Sequence, residues 1–179
     1  MDEPTAEVLF IGGRSGVGKS SAALALSRLL ADADIAHVVI EGDNLGHAHP
    51  EPWKSGLPLT EENLAAVWRN YWVAGYRRLI YTNTVSVIEL DKLSAAVGVG
   101  ASGAAVHSIG ALLRCSDESA RTRLDSREVG LSLDEHVERS DRAASLLDRS
   151  ALASVHRIDT DGLTAEQVAV DLLATTGWV

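Results

Sequence analysis

Only one of the 179 residues is a cysteine, Cys115, which excludes an internal disulfide and any zinc site built from several cysteines. It closes an apolar run, the setting of a buried structural thiol rather than a nucleophile. Lysine is also scarce. Lys19, Lys54 and Lys92 are the only three, and the 16 cations face 25 acids for a net charge of −9. Phosphate backbones need clustered Lys and Arg, so a nucleic-acid partner is not expected. No apolar run approaches the roughly 20 residues that span a bilayer. Residues 1–7 are acidic and lack a signal core, so the expectation is a cytoplasmic protein with no membrane partner. There are four prolines, and three of them (Pro50, Pro52, Pro58) fall within residues 44–59. Apolar residues at 46% and charged residues at 23% are an ordinary globular balance, and the length suits a single domain over 1–179. An acidic chain can still hold a polyanion where its few cations converge. Thirteen of those cations are arginine, the better residue for bidentate phosphate contacts.

Residues 13–20 read Gly-Arg-Ser-Gly-Val-Gly-Lys-Ser, a complete G-x-x-x-x-G-K-[ST]. They lie between an apolar run, Val8 to Ile11, and a helix-forming run from Ser21 to Ala31, the strand–loop–helix context a phosphate-binding loop requires. Gly13, Gly16 and Gly18 let backbone amides turn inward on phosphate oxygens beside a positive helix N-terminus. Arg14, Ser15, Val17 and Ser21 complete the cradle by position. Lys19 is expected to reach the β- and γ-phosphates, and the Ser20 hydroxyl to ligate Mg²⁺. The ligand so implied is a nucleoside triphosphate with its magnesium.

Five apolar runs (7–11, 37–41, 78–82, 106–113, 155–159) alternate with helical patterns at about 18–31, 60–76, 87–97, 117–128, 133–148 and 163–175. The strands are rich in Val, Ile and Leu with little polar alternation, as in a parallel sheet buried on both faces. Thr60, Ser132 and Thr164 are start signals for three of the helices. The pattern predicts a doubly wound α/β fold of the phosphate-loop NTPase type. Its five parallel strands run in the order 2-3-1-4-5, with helices on both faces and a helical lid over about 117–148. Residues 98–105 read as a surface connection. Gly98-Val-Gly100-Ala-Ser-Gly103 matches a dinucleotide fingerprint but follows a helix and precedes a strand, the wrong order. Asp159-Thr-Asp-Gly162 matches a GTPase switch, yet it follows the last strand and no NKxD comes after it.

Strand two ends in Glu41-Gly42-Asp43-Asn44, where an open α/β sheet places its ligand crevice. Asp43 is the candidate for orienting or deprotonating an acceptor hydroxyl, or for holding Mg²⁺ with Ser20; the alternative is a helix cap. Glu41 reads as the weaker candidate, since strand alternation turns it elsewhere. Strand three runs into Thr82-Asn83-Thr84 without the acid of a hydrolytic NTPase. Asn83 is a candidate for contacting the acceptor, and turn capping is its plainer role. Leu64, Trp68, Trp72 and Tyr76 form a helical stripe that reads as core. Trp53, with Arg69 and Asn70, completes the candidate acceptor region of 44–76. His47 and His49 lack a third ligand, so no zinc is expected. Past strand four, Arg123 and Arg127 share a helix face with no acid three or four residues away, which suits phosphate closure in a lid.

Together these segments resemble the small-molecule kinases of the phosphate-loop superfamily, such as gluconate, shikimate, adenylylsulfate and nucleoside monophosphate kinases, over nearly the whole chain. The resemblance is most specific to a gluconate-kinase-like branch in which Glu-Gly-Asp is followed by Pro-Trp (Pro52-Trp53) and Trp-x-Asn (Trp68-Arg69-Asn70). It implies that Thr160, Asp161 and Gly162 lie against the adenine. Glu41-Gly42-Asp43-Asn44 is similar to the Asp-Gly-Asp-Asn of adenylylsulfate kinases, but Gly46 replaces their substrate arginine. Chloramphenicol phosphotransferases and tunicamycin-resistance proteins share the architecture, so an antibiotic acceptor is open. The expectation is an ATP- and Mg²⁺-dependent transfer to a hydroxyl of a small molecule. Lys19, Asp43 and Arg123 or Arg127 would be the catalytic groups. The rivals are a regulatory ATPase without an acceptor, which the missing strand-three acid disfavours, and a nucleoside monophosphate kinase. The latter needs several arginines around the acceptor, and residues 44–83 offer only Arg69, Arg77, Arg78 and Lys54. A homodimer is compatible with the sequence but not specified by it.

Overall fold

The computed structural model describes residues 4–125 and 133–179, the side chains of 133–137 and 139 excepted. Five strands, β1 (Ala6–Gly12), β2 (Val38–Glu41), β3 (Arg78–Thr82), β4 (Val106–Arg114) and β5 (His156–Asp159), form one sheet in the order β2-β3-β1-β4-β5. Every pairing is parallel. The order is the one the alternating pattern predicts.

The helices are α1 (Lys19–Asp32), α2 (Leu59–Val73), α3 (Leu90–Gly100), α4 (Asp117–Asp125), α5 (Leu133–Ser150) and α6 (Ala165–Thr176). Strand alternation sorts the core into two layers. Leu9 and Ile11 of β1 pack with Leu26 and Leu30 of α1 and Leu172 of α6. Val8 and Phe10 point the other way, onto Leu64 and Trp68 of α2 and Leu93 and Val97 of α3. Each large side chain fully buried here contributes about 1.5–3 kcal/mol. Both faces are thus covered, and the carboxyl ends of the strands stay open for a site. Among the described residues no helix is long and apolar enough to cross a membrane.

Three departures from the expected elements have physical causes. Helix α2 stops at Val73 rather than 76, because Gly75 adopts φ 99° and reverses the chain. The stripe therefore ends with Trp72, over whose ring the Arg77 guanidinium sits at 3.9 Å. Residues 98–100, expected in a loop, are the last turn of α3. A Cβ on Gly100 would come within 2.6 Å of the Ala65 carbonyl oxygen, so that glycine serves the close α2–α3 contact. Thr60 does not cap α2, whose N-cap is Pro58. Thr164 does cap α6, in a reciprocal capping box with Gln167. Ser132 lies outside the described residues.

Candidate active site

The loop from β1 to α1 has the backbone its glycines foretell. Gly13 (φ 147°) and Gly16 (φ 82°) occupy left-handed conformations. A Cβ on either would fall 2.7 Å from a backbone oxygen, Leu113 for the first and Ala120 for the second. Gly18 is the N-cap of α1, and no side chain caps that terminus. Its amides and the positive end of the helix dipole are thus available to an anion. The Lys19 ammonium arches over the loop, donating to the carbonyls of Gly13 (2.7 Å) and Arg14 (3.2 Å).

Arg14 is assigned to the cradle by position, but its side chain turns away from it. It is buried to 2% exposure, and its Nε donates to Ser140 Oγ at 2.9 Å. Its two terminal nitrogens pair with Asp117 of α4 and Asp141 of α5. Ser140 Oγ in turn donates to the Ser15 carbonyl at 2.9 Å. Arg14 therefore ties both expected lid helices to the phosphate loop, with Ser15 adding a second bond to α5, and no sequence motif signals this.

The surroundings of Ser20 differ from the expectation. The Ser20 hydroxyl donates to Glu41 Oε2 at 3.2 Å, and Thr82 Oγ1 donates to the same oxygen at 2.7 Å. The structure thus brings Glu41, not Asp43, to Ser20. The reason is local. Glu41 is the last residue of β2, in register with Thr82, and the chain then winds into a short 3-10 turn over Gly42–Leu45. That turn breaks the strand period and sends Asp43 to another side. There Asp43 Oδ1 accepts from Asn83 Nδ2 at 2.9 Å. The N-cap of the turn is Glu41 and Asp43 lies inside it, so the plainer reading of Asp43 as its cap is not realised. Asn83 has the turn role foreseen for it, since its Oδ1 accepts from the Val85 amide at 2.9 Å.

Asp43, Asn83 and Trp53 line one cavity of about 940 Å³ that reaches Ser15 of the phosphate loop and Ser140 of α5. Trp53 is 60% exposed there. Arg69 and Asn70 are exposed near the far end of α2 and are not among the lining residues. Gly42 forms part of the wall, and its missing side chain has a clear cause. A Cβ would stand 2.2 Å from the Tyr81 hydroxyl and 2.8 Å from the Thr82 carbonyl oxygen. Tyr81 is fully buried, and its hydroxyl has no hydrogen-bond partner among the described residues. Desolvation, then the charges of Asp43, Glu89 and Glu61, push its ionisation well above the usual tyrosine range, so it stays a donor.

A second, smaller cleft of about 220 Å³ lies on the other side of the loop, lined by Gly18, Ser21, Arg123, Thr160 and Leu163. Thr160 is buried and donates to the Val17 carbonyl at 3.3 Å. Arg123 Nη1 donates to the Val17 carbonyl (3.1 Å) and Thr160 Oγ1 (3.2 Å), and Nη2 donates to the Thr160 carbonyl (3.2 Å). Arg123, expected to close on the phosphoryl group, therefore lines this cleft beside Thr160 and not the larger cavity. Asp161 accepts from the Ser116 amide at 2.9 Å. Hydrogen bonds from Ser119, first, and Ser116 hold its carboxyl below the usual range. Gly162 supplies the adjacent left-handed turn (φ 72°). Neither Asp161 nor Gly162 lines this cleft. Arg127 lies outside the described residues.

No protein-family model matches this chain, and no curated protein matches it. Solved structures do. The tunicamycin resistance protein of Deinococcus radiodurans aligns with a TM-score of 0.64 at 22% identity, covering 96% of each chain. A gluconokinase from Sinorhizobium meliloti 1021 aligns at 0.59 and 19% identity, over 99% of this chain and 94% of that one. Shikimate kinase from Acinetobacter baumannii, solved with shikimate, aligns at 0.58 and 15% identity, over 97% and 93%. The fold is that of the phosphate-loop small-molecule kinases.

Proposed function

We propose that this chain transfers the γ-phosphoryl group of ATP to a hydroxyl of a small molecule, with Mg²⁺ as cofactor. One observation carries the reading: Asp43, paired with Asn83, shares a single cavity with Ser15 of the phosphate loop. A carboxylate able to take a hydroxyl proton thus borders the cradle that would present the phosphoryl group. The kinases among the structural neighbours support the same chemistry.

The residues suit both ligands. Side chains on Gly13 and Gly16 would collide with the Leu113 and Ala120 carbonyls and displace the loop. Ser20 and Glu41 are hard oxygen donors 3.2 Å apart, a pair suited to a cation that keeps most of its waters. The magnesium would supply charge neutralisation between the β- and γ-phosphates. Glu41 would hold one of its waters, and Thr82 fixes that carboxylate. Lys19 would exchange its two loop carbonyls for phosphate oxygens. Asp43 accepts the proton of the acceptor hydroxyl, and Asn83 holds its orientation. Arg123 and Thr160 border the nucleoside. The Arg14 contacts with α4 and α5 would let the lid respond to the loop and exclude water.

The test is ADP release from Mg·ATP across a panel of hydroxylated metabolites and antibiotics, with phosphorylated product identified by mass. An acceptor-dependent rate and a phosphomonoester are expected. ATP hydrolysis that no acceptor alters would overturn the reading and favour a regulatory ATPase.

A further inference from the structure

The charged groups around the acceptor cavity say what kind of molecule it takes. This inference rests on the phosphotransferase reading and goes beyond it. Three carboxylates line the cavity among the described residues, Asp43, Glu61 and Glu89, against one lysine, Lys92, and one histidine, His47. Lys92 is already engaged: its ammonium pairs closely with Glu61 and lies 3.9 Å from Glu89. The Glu61 hydrogen bond, then the charges of Glu89 and Glu61, raise its pKa and keep it charged. Among the described lining residues a phosphate or carboxylate on the acceptor would therefore meet no uncommitted lysine or arginine, only the His47 imidazole, and it would face the Asp43 and Glu89 charges. Arginine, the usual receptor for such groups, is absent from the described lining. Glu89, at the longer of the two Lys92 distances, keeps oxygens for another donor.

The mouth of the cavity adds a further observation. The exposed Trp53 and Leu57 rings the mouth with apolar surface, and an indole face attracts cations. We propose that the acceptor is a hydroxyl compound carrying a protonated amine. Its ammonium would lie toward Glu89, its apolar part on Trp53 and Leu57, and its hydroxyl against Asp43. Adjacent negative charge favours an ammonium and repels an anion of the same shape.

Two matched probe series test this on the full chain saturated with Mg²⁺ and a non-hydrolysable ATP analogue. One is 2-amino-1-phenylethanol, 1-phenyl-1,2-ethanediol and mandelate; the other is glucosamine, glucose and glucuronate. Affinities are read by tryptophan fluorescence and by shift in melting temperature. In at least one series the amine should bind about threefold or more tighter than the neutral member and about tenfold or more tighter than the carboxylate. Glu89→Gln should erase the advantage over the neutral member, and Lys92→Met should enlarge it, with affinity for the ATP analogue unchanged in both. Carboxylates binding as well as amines, amines no better than neutral members, an advantage that survives Glu89→Gln, or no response to any of the six would each overturn the inference. Failure of the ATP analogue itself to bind would instead sink the phosphotransferase reading on which it rests.

Discussion

The Ser20 hydroxyl and the Glu41 carboxylate meet at 3.2 Å across the mouth of the first crossover, on the oxygen that Thr82 also holds. This pairing divides the two acids at the tip of β2. Glu41 faces Ser20 and Thr82, the proposed magnesium side, and Asp43 faces Asn83, the proposed acceptor side. Glu41→Gln keeps the hydrogen-bonding shape but loses the charge. It should raise the Mg²⁺ concentration for half-maximal rate by about 10-fold or more. A magnesium titration at saturating ATP checks this, and an unchanged midpoint would remove Glu41 from the metal site.

Asp43→Asn should act on the chemical step instead. Loss of a general base costs roughly 10²–10⁴ in kcat. Affinity for Mg·ATP should stay within a few-fold, since Asp43 contacts Asn83 and not the cradle. Single-turnover rates alongside nucleotide binding separate the two effects.

Lys19→Ala removes the ammonium that bridges Gly13 and Arg14 carbonyls. Turnover should fall by at least about 100-fold, as for loss of one charged donor at the transferring group. Circular dichroism should remain that of the native chain, because the fold's two core layers do not include this residue.

Asp141→Ala tests the latch between loop and lid. The change leaves the buried Arg14 guanidinium short of a partner, at a cost of about 1–3 kcal/mol or more. The midpoint of urea denaturation should drop accordingly, and α5 should become more open to protease than in the unaltered chain. An unaltered midpoint would mean that Arg14 does not hold the lid.

Tyr81→Phe should raise stability by about 1 kcal/mol, because the hydroxyl it removes is buried without a partner. The pH dependence follows from the raised ionisation of Tyr81. Below the ordinary tyrosine value near pH 10, both folded and unfolded chains keep the proton. Above it only the unfolded chain releases the proton, so stability falls by up to about 1.4 kcal/mol per pH unit. Melting temperatures from pH 8 to 11 should show that loss, and Tyr81→Phe should reduce it.

The strand-and-helix alternation, and with it the 2-3-1-4-5 sheet, was legible because buried parallel strands and amphipathic helices carry different periods. The phosphate loop was legible because left-handed backbone demands glycine at Gly13 and Gly16. The end of α2 and the helical state of residues 98–100 were less so. There the deciding fact is how near Gly100 approaches Ala65, a distance no local pattern encodes.

The amino-acid order alone therefore determined which segment forms the glycine-rich loop and which strand tip carries the acids, since both follow from local backbone chemistry. Only the tertiary structure decided what each acid faces. The β2–β3 register sets Glu41 against Thr82 and Ser20, and the 3-10 turn at Gly42 delivers Asp43 to Asn83. It also turned Arg14 into a tie to α4 and α5, Arg123 toward Thr160, and Lys92 into the company of two glutamates. Charges distant in the chain acquire their partners only when the sheet is assembled, because the strength of an ion pair depends on separations that packing alone sets.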